Sequence, residues 1–241
     1  MKKRVFIPIF VIVLGLFVWG MVKFGPDFNT DEVPVQQVVV LEEEAPTPVV
    51  RVYTDESDSY SIEAHYPETT QREVIGYIDD SIASFKIESV GGEATASDKS
   101  DLTINYSIEE SRLATTYIIT SYIYTGGAHG YEDTRTFTYY IETGERITLD
   151  MLFEKEGYIP ALSALVQNKL KARFGSEADM SMIEAGAGQM KENFERFYLT
   201  DTSIIFIFPP YSVASYSEGT IKLEVSLSTL GGLVSEEFFT S

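Results

Sequence analysis

The sequence lacks cysteine and has two histidines and one tryptophan in 241 residues. Without cysteine the chain can hold no disulfide, no thiolate nucleophile and no cysteine-ligated zinc. His65 and His129 are too far apart in the sequence for a histidine metal motif. Motifs of serine hydrolases, phosphate-binding loops and glycosidases are also missing. We therefore predict no catalytic residue, no metal site and no cofactor, and an enzyme is the less favoured interpretation.

Positive charge is also scarce, since 18 Lys and Arg face 37 Asp and Glu, a net charge of −19. The first 23 residues hold four of the basic side chains and no acidic one, so the remainder carries 14 against 37, or −23. Such a surface repels nucleic acid and attracts cationic partners. It also keeps a protein soluble, and that simpler explanation stays open. We predict no nucleic-acid partner.

One long apolar run is present. Residues 5–22 are uncharged between Arg4 and Lys23, and as a helix they would extend about 27 Å, close to the hydrocarbon thickness of a bilayer. The apolar region of a cleavable signal peptide is shorter. The sequence therefore predicts a transmembrane signal-anchor at residues 5–24. Because the basic cluster marks the inner side, residues 1–4 form a cytoplasmic stub and the C-terminal domain is extracytoplasmic, tethered to the cell membrane.

The composition changes again after the apolar run. Residues 25–50 contain four prolines and the run EEE, which favour an extended stalk. All 15 tyrosines lie beyond residue 50, where the pattern becomes globular. We predict one domain at residues 51–241, with subdomains of about 51–145 and 146–241.

Hydrophobic periodicity predicts the class of this domain. Alternation of apolar and polar residues predicts strands at residues 60–66, 102–108, 115–123, 137–141, 197–208 and 221–227. Helical spacing begins at Pro67 and recurs at residues 157–174. Helices and hairpins alternate without a βαβα rhythm. The predicted fold is therefore α+β, with an antiparallel sheet or sheets and two main helices, preceded by a single N-terminal transmembrane helix.

Two features suggest recognition. Seven tyrosines lie between residues 106 and 140, where they either pack and pair across strands, at about 0.2–1 kcal/mol for each pair, or form a recognition surface, which tyrosine favours. His129 lies in a glycine-rich turn. Its ring can fix the turn by a backbone hydrogen bond, contact a partner or act as a general base.

Several motifs carry a family resemblance. These are YTGGAHG at residues 124–130, TGERITLDMLF at 143–153, FYLTD at 197–201 and PYSVASY at 210–216. Together they resemble a paired domain of unknown function in bacterial envelope proteins, over roughly residues 53–233. That domain is found in the extracellular part of lysozyme-sensing anti-sigma factors and ahead of some peptidoglycan polysaccharide deacetylases. Here four residues precede the apolar run and no catalytic domain follows, so the resemblance implies the binding module alone.

The resemblance implies a membrane-tethered recognition module for a lysozyme-like cationic protein or a component of the cell envelope. An enzyme acting on envelope glycan and a structural or assembly partner in the envelope are the alternatives. We place the binding surface in the turn at residues 126–131 and the loop at 210–219, because loops on a rigid sheet often carry recognition residues. The candidate binding residues are Tyr124, Gly126, Gly127, His129, Tyr131, Tyr211 and Tyr216.

Overall fold

The computed structural model describes residues 51–91, 99–153, 155–235 and 238. All of them belong to one compact unit, which contains two sheets. The first sheet has five strands in sequence order: β1 Arg51–Glu56, β2 Tyr60–Tyr66, β3 Ser100–Glu110, β4 Ala114–Tyr124 and β5 Tyr131–Tyr140. Neighbouring strands pair antiparallel, except β2 and β3, which pair in parallel. Helix α1 (Arg72–Gly91) connects these two, because a parallel pair needs a crossover.

Helix α1 covers one face of the five-stranded sheet. Its apolar residues recur every three or four positions, which aligns them on one side of the helix; Val74, Ile78, Ile82 and Phe85 are all buried. They share one hydrophobic cluster with residues of β2, β3 and β5, among them Ile62, Ala64, Leu102, Ile104 and Phe137. Each large side chain buried in this way contributes about 1.5–3 kcal/mol, so the cluster anchors the helix firmly to the sheet.

The second sheet is antiparallel, in the order β6 (Phe197–Leu199), β7 (Ser203–Phe208) and β8 (Ile221–Ser226). Three further helices lie between the two sheets in the sequence: α2 (Leu149–Leu152), α3 (Ile159–Phe174) and α4 (Met180–Gly186). All six residues of the central strand β7 are buried. Leu162, Val166 and Leu170 of α3 belong to the same hydrophobic cluster as β7. This cluster is distinct from the one beneath α1.

Strand β5 joins the two regions, because one of its faces packs under α1 and the other contacts the segment that contains β6. Phe137 and Tyr139 belong to the cluster beneath α1. Thr136, on the other face, accepts a hydrogen bond from the Phe197 N–H at 3.0 Å and donates one to the Glu195 carbonyl at 3.2 Å. Side-chain hydroxyls therefore hold β6 against β5, although the two strands belong to different sheets.

The predicted α+β class with antiparallel sheets is confirmed, and α1 and α3 are its long helices. Three details differ. Helix α1 begins at Arg72 rather than Pro67, β5 ends at Tyr140 and leaves Ile141 exposed, and the β2–β3 pair is parallel. Strand β1 and the helices α2 and α4 were not predicted. The β2–β3 pair is parallel because α1 carries the chain back to the end of the sheet at which β2 begins, and β3 starts there too.

The predicted transmembrane segment at residues 5–24 and the stalk at 25–50 lie outside the described residues. Within the residues that the structure does describe, no helix combines the length and the apolar character that crossing a bilayer requires. The predicted tether therefore stays a prediction.

Candidate functional site

The turn between β4 and β5, residues 125–130, owes its shape to its glycines. Gly126 and Gly127 have φ of +96° and +99°, a backbone region that side chains disfavour. Gly130 has ordinary φ but no room, because a Cβ there would lie 2.5 Å from the Ile123 carbonyl oxygen and 2.6 Å from the Tyr122 ring. The glycines predicted as binding residues thus have a conformational role.

Hydrogen bonds to side chains fix this turn. The Tyr124 hydroxyl donates to the Gly127 carbonyl at 3.1 Å, and the Gly130 N–H donates to the Tyr122 hydroxyl at 3.1 Å. His129 Nδ1 lies 2.9 Å from the Gly130 carbonyl oxygen. A carbonyl only accepts, so Nδ1 carries the proton and donates. The turn therefore holds an oriented, exposed imidazole.

The loop between β7 and β8, residues 209–220, is anchored at several points. Ser212 Oγ donates to the Pro209 carbonyl at 2.6 Å, and Val213 is buried in the hydrophobic cluster that contains β7 and α3. The loop passes so close to Gly186 that a Cβ there would lie 1.9 Å from the Ser212 carbonyl oxygen. The loop is therefore held in one place by its neighbours.

Tyr211, in this loop, is the one described residue other than glycine with positive φ, at +67°. Such a backbone costs about 1–3 kcal/mol for a bulky residue. The side chain is 58% exposed, so burial does not offset that cost. Strain of this kind, held by well-anchored neighbours, is often found at binding sites.

The turn and the loop meet through stacked rings. The His129 and Tyr216 ring centroids lie 4.7 Å apart with planes at 20°, and those of Tyr216 and Tyr211 lie 5.3 Å apart at 32°. The Thr220 hydroxyl donates to Glu132 Oε1 at 2.6 Å beside them. We call His129, Tyr211 and Tyr216 the aromatic ridge. The structure thus brings together residues that were predicted from two separate segments.

Tyr131, another predicted binding residue, lies elsewhere. Successive residues of a strand point to opposite faces. Since Glu132 contacts the loop, Tyr131 points toward α1. Burial, and then the charges of Glu88 and Asp133, raise the pKa of Tyr131. Tyr131 is 55% exposed but is separate from the aromatic ridge.

The segments around the aromatic ridge carry negative charge only. Neither residues 113–134 nor residues 197–221 contain a Lys or Arg, whereas Glu132 and Glu218 flank the rings. Exposed ring faces and carboxylates both attract cations. The surface is therefore suited to contact with a positively charged partner.

No group of His, Asp or Glu suited to a metal ion occurs among the described residues. His65 pairs with the exposed Glu63 at 2.8 Å, on the polar side of β2 as its alternation predicted.

A cleft of about 540 Å³ was not predicted. It is lined by residues of α1, β5 and segments 146–149 and 191–197, so its basic side chains are scattered along the sequence and form no motif. Only the pairing of distant segments in the fold creates it.

Comparison with known proteins supports the resemblance. Residues 150–228 match the family described as "Protein of unknown function (DUF3298)". The matched residues include all three strands of the second sheet and the Tyr211–Tyr216 loop.

One curated relative is the peptidoglycan-N-acetylmuramic acid deacetylase PdaC of Bacillus subtilis (strain 168), 28% identical over 142 residues. The match covers 58% of this chain but only 30% of the deacetylase. Crystal structures of DUF3298 proteins from Pseudomonas aeruginosa PAO1 and Bacteroides fragilis NCTC 9343 are also similar, with TM-scores of 0.60 and 0.53 at 16% identity. They cover 80% and 79% of this chain and 95% of each relative, and they support the fold alone.

Proposed function

We propose that this chain is a membrane-tethered, extracytoplasmic recognition module that binds a cationic protein through the aromatic ridge. The observation that carries the proposal is the exposed stack of His129, Tyr216 and Tyr211 between two segments without Lys or Arg. Clustered tyrosines are typical of protein interfaces. The anchored loop and turn present these rings in a fixed arrangement, which reduces the entropy lost on binding.

The chemistry of the partner follows from the ridge. A Lys or Arg of the partner can lie over a tyrosine ring, a contact of about 0.5–1 kcal/mol at an exposed site. Glu132 and Glu218 add attraction near the rings, and the net charge of −19 adds it at longer range. A lysozyme-like protein fits this description and agrees with the family resemblance. An envelope component is the alternative partner, supported by the peptidoglycan substrate in the name of the deacetylase relative.

The test is titration calorimetry of the full chain with lysozyme. Tyr216 lies in the middle of the stack, so Tyr216→Ala should weaken binding by about 2 kcal/mol or more if the ridge is a hot spot. That is a rise in Kd of roughly thirtyfold.

Tyr131→Ala is the control, because Tyr131 is also an exposed tyrosine but points toward α1. It should bind nearly as the unmodified chain does. If Tyr216→Ala is folded by circular dichroism and binds lysozyme normally, the proposed surface is wrong. If Tyr131→Ala alone loses binding, the recognition surface is the α1 side of the sheet.

The proposed topology places residues 1–4 in the cytoplasm, 5–24 in the membrane and 25–50 in a stalk that carries the domain outside. Its support is the uncharged run between Arg4 and Lys23. The chain should stay in the membrane fraction after a carbonate wash, and a C-terminal reporter that works only outside the cytoplasm should be active. A soluble product that begins near Met21 would instead indicate cleavage.

An enzyme that acts on envelope glycan is the second candidate, and the oriented, exposed His129 favours it. With Nδ1 bonded to a carbonyl, Nε2 is the nitrogen that could accept a proton. Incubation of the full chain with peptidoglycan, followed by product analysis, tests this function. Turnover that disappears in His129→Ala would support the enzyme and count against simple recognition.

A further inference from the structure

The unpredicted cleft gathers positive charge in an acidic chain. Four of the 14 basic residues that follow residue 50 line it, with two acidic residues, Glu73 and Glu195. The basic residues are Arg135, Arg146, Lys191 and Arg196. In the whole chain acidic residues outnumber basic ones about two to one. Basic side chains thus outnumber acidic ones among the residues that line the cleft, and this balance favours anions there.

Arg146 is held rigidly in this cleft. Its guanidinium carbon lies 4.8 Å from the Phe137 ring centroid and 5.4 Å from that of Tyr139. Its Nη2 donates to the Thr136 carbonyl at 2.8 Å. Stacking and one carbonyl bond fix the plane of the guanidinium but use only part of its donors. The remaining donors can bind an oxyanion.

Glu73 shows which anion this guanidinium accepts. Its Oε2 lies 3.5 Å from Arg146 Nη1 and accepts a hydrogen bond from the Tyr139 hydroxyl at 3.1 Å. Burial raises the pKa of Tyr139 to about 12, so this donor stays protonated at neutral pH. The Glu73 side chain is 57% exposed, and an exposed pair at this distance contributes little. Another carboxylate can therefore displace it.

The other cations of the cleft are paired more closely. Arg135 and Arg196 contact Asp133 at 3.4 Å and 3.2 Å, and Lys191 contacts Asp150 at 2.5 Å. Arg146 thus has the longest ion pair of the four. Arg146 is therefore the cation of the cleft that its partner carboxylate holds least closely.

From this geometry we infer that the cleft binds a small molecule through a carboxylate, which takes the place of Glu73 between Arg146 and Tyr139. Its volume of about 540 Å³ lies in the range of small-molecule sites. Phe137, Ile147 and Phe197, all largely buried, form the apolar part of its lining. The site shares no residue with the aromatic ridge and is independent of the function proposed above.

Benzoate and benzyl alcohol are suitable probes, because they share a ring and differ in the carboxylate. In NMR titrations of the full chain, benzoate should shift the Ile147 and Phe197 amide signals saturably. Benzyl alcohol should bind more weakly than benzoate, by a factor of about ten or more. Equal binding of the two probes, or no saturable shift with benzoate, overturns the inference. Inorganic phosphate that binds as tightly as benzoate overturns the preference for a carboxylate.

Two variants locate the site. Glu73→Gln removes the competing carboxylate and should tighten benzoate binding several-fold, a gain that loss of folding cannot produce. Arg146→Lys keeps the charge but loses the planar fork and should weaken it about tenfold.

Arg173→Lys is the matched control, because Arg173 also lies over a ring, that of Phe174, and donates to a carbonyl, that of Lys222, outside the cleft. It should leave benzoate binding unchanged. Unchanged affinity in Glu73→Gln, or equal losses in Arg146→Lys and Arg173→Lys, would show that Arg146 is not the ligand-binding cation.

Discussion

Residues of the β4–β5 turn and the β7–β8 loop adopt backbone conformations with positive φ, which destabilise a chain at any residue other than glycine. Tyr211 is the clearest case, because its φ of +67° is unfavourable and its ring is mostly exposed. Within the part of the chain that the structure describes, its ring contacts that of Tyr216, in the aromatic ridge. The local conformation is thus explained better by presentation of the ring than by packing.

Tyr211→Gly separates these two roles. Glycine tolerates positive φ, so the free energy of unfolding in urea should stay constant or rise by up to about 1 kcal/mol. Lysozyme binding should fall at the same time, since a ring of the ridge is lost. Tyr211→Phe keeps the ring and should preserve binding. A large loss of stability in Tyr211→Gly would mean that the ring supports the fold.

Two glycines allow a matched test of the turn. Gly130→Ala places a Cβ 2.5 Å from a backbone oxygen and should destabilise the chain by about 1–3 kcal/mol. Gly76→Ala, on α1 with nothing within 4 Å of the new Cβ, should stabilise it by about 0.5–1 kcal/mol. Urea unfolding of both variants measures the difference. The same sign for both would contradict the packing described at Gly130.

The residues of the ridge were predictable singly but not as a group. Glycine and histidine in YTGGAHG predicted a turn, and the prolines at 209 and 210 predicted the end of a strand. No local pattern indicates that Tyr216 stacks on His129 rather than pointing away. That contact depends on how the loop between β7 and β8 lies against the start of β5. Because successive residues of a strand point to opposite faces, the sequence does predict that Tyr131 and its neighbour Glu132 lie on different sides of β5.

Among the elements, those with a buried face were predictable, whereas those with little burial or few residues were not. Strands β2 and β8 alternate clearly, and α3 shows a helical apolar stripe. Strand β1 lies at the edge of its sheet with no fully buried residue, so no alternation marks it. Helix α4 has seven residues and ends at Gly186, too short for a periodic signal. Its start depends on Asp179, whose carboxylate accepts from Ser181 and Met182 N–H.

The contact between β5 and β6 gives a test at this scale. Thr136→Val has nearly the same shape but leaves the buried Phe197 N–H without its acceptor at 3.0 Å. The free energy of unfolding should fall by about 1–3 kcal/mol. Thr103→Val is the control, because Thr103 lies in β3 and its hydroxyl makes no hydrogen bond within the described residues. If the two variants are equally stable, the hydroxyl does not hold the regions together.

For the whole molecule, charge governs how fast a cationic partner arrives. The chain carries −19, and its attraction acts over a screening length of about 8 Å at physiological salt and about 3 Å at 1 M. Association with lysozyme should therefore slow markedly as salt rises, while dissociation changes less. Stopped-flow or surface-binding kinetics measures both rates. A dissociation rate that carries most of the salt dependence would show that close ion pairs, rather than the overall field, control binding.

The pairing of strands also decides which end of the first sheet displays the ridge. Glu56 pairs with Ser61 at the end where β4 reaches Tyr124 and the turn begins, whereas Arg51 pairs with Tyr66 at the opposite end. The chain thus enters the domain far from the turn. With a tether before Arg51 and a partner on the ridge, tension would run along the strands. This tension would load all the β1–β2 hydrogen bonds in shear at the same time, instead of breaking them one after another. A strand of six residues resists such shear far better than it resists sequential unzipping.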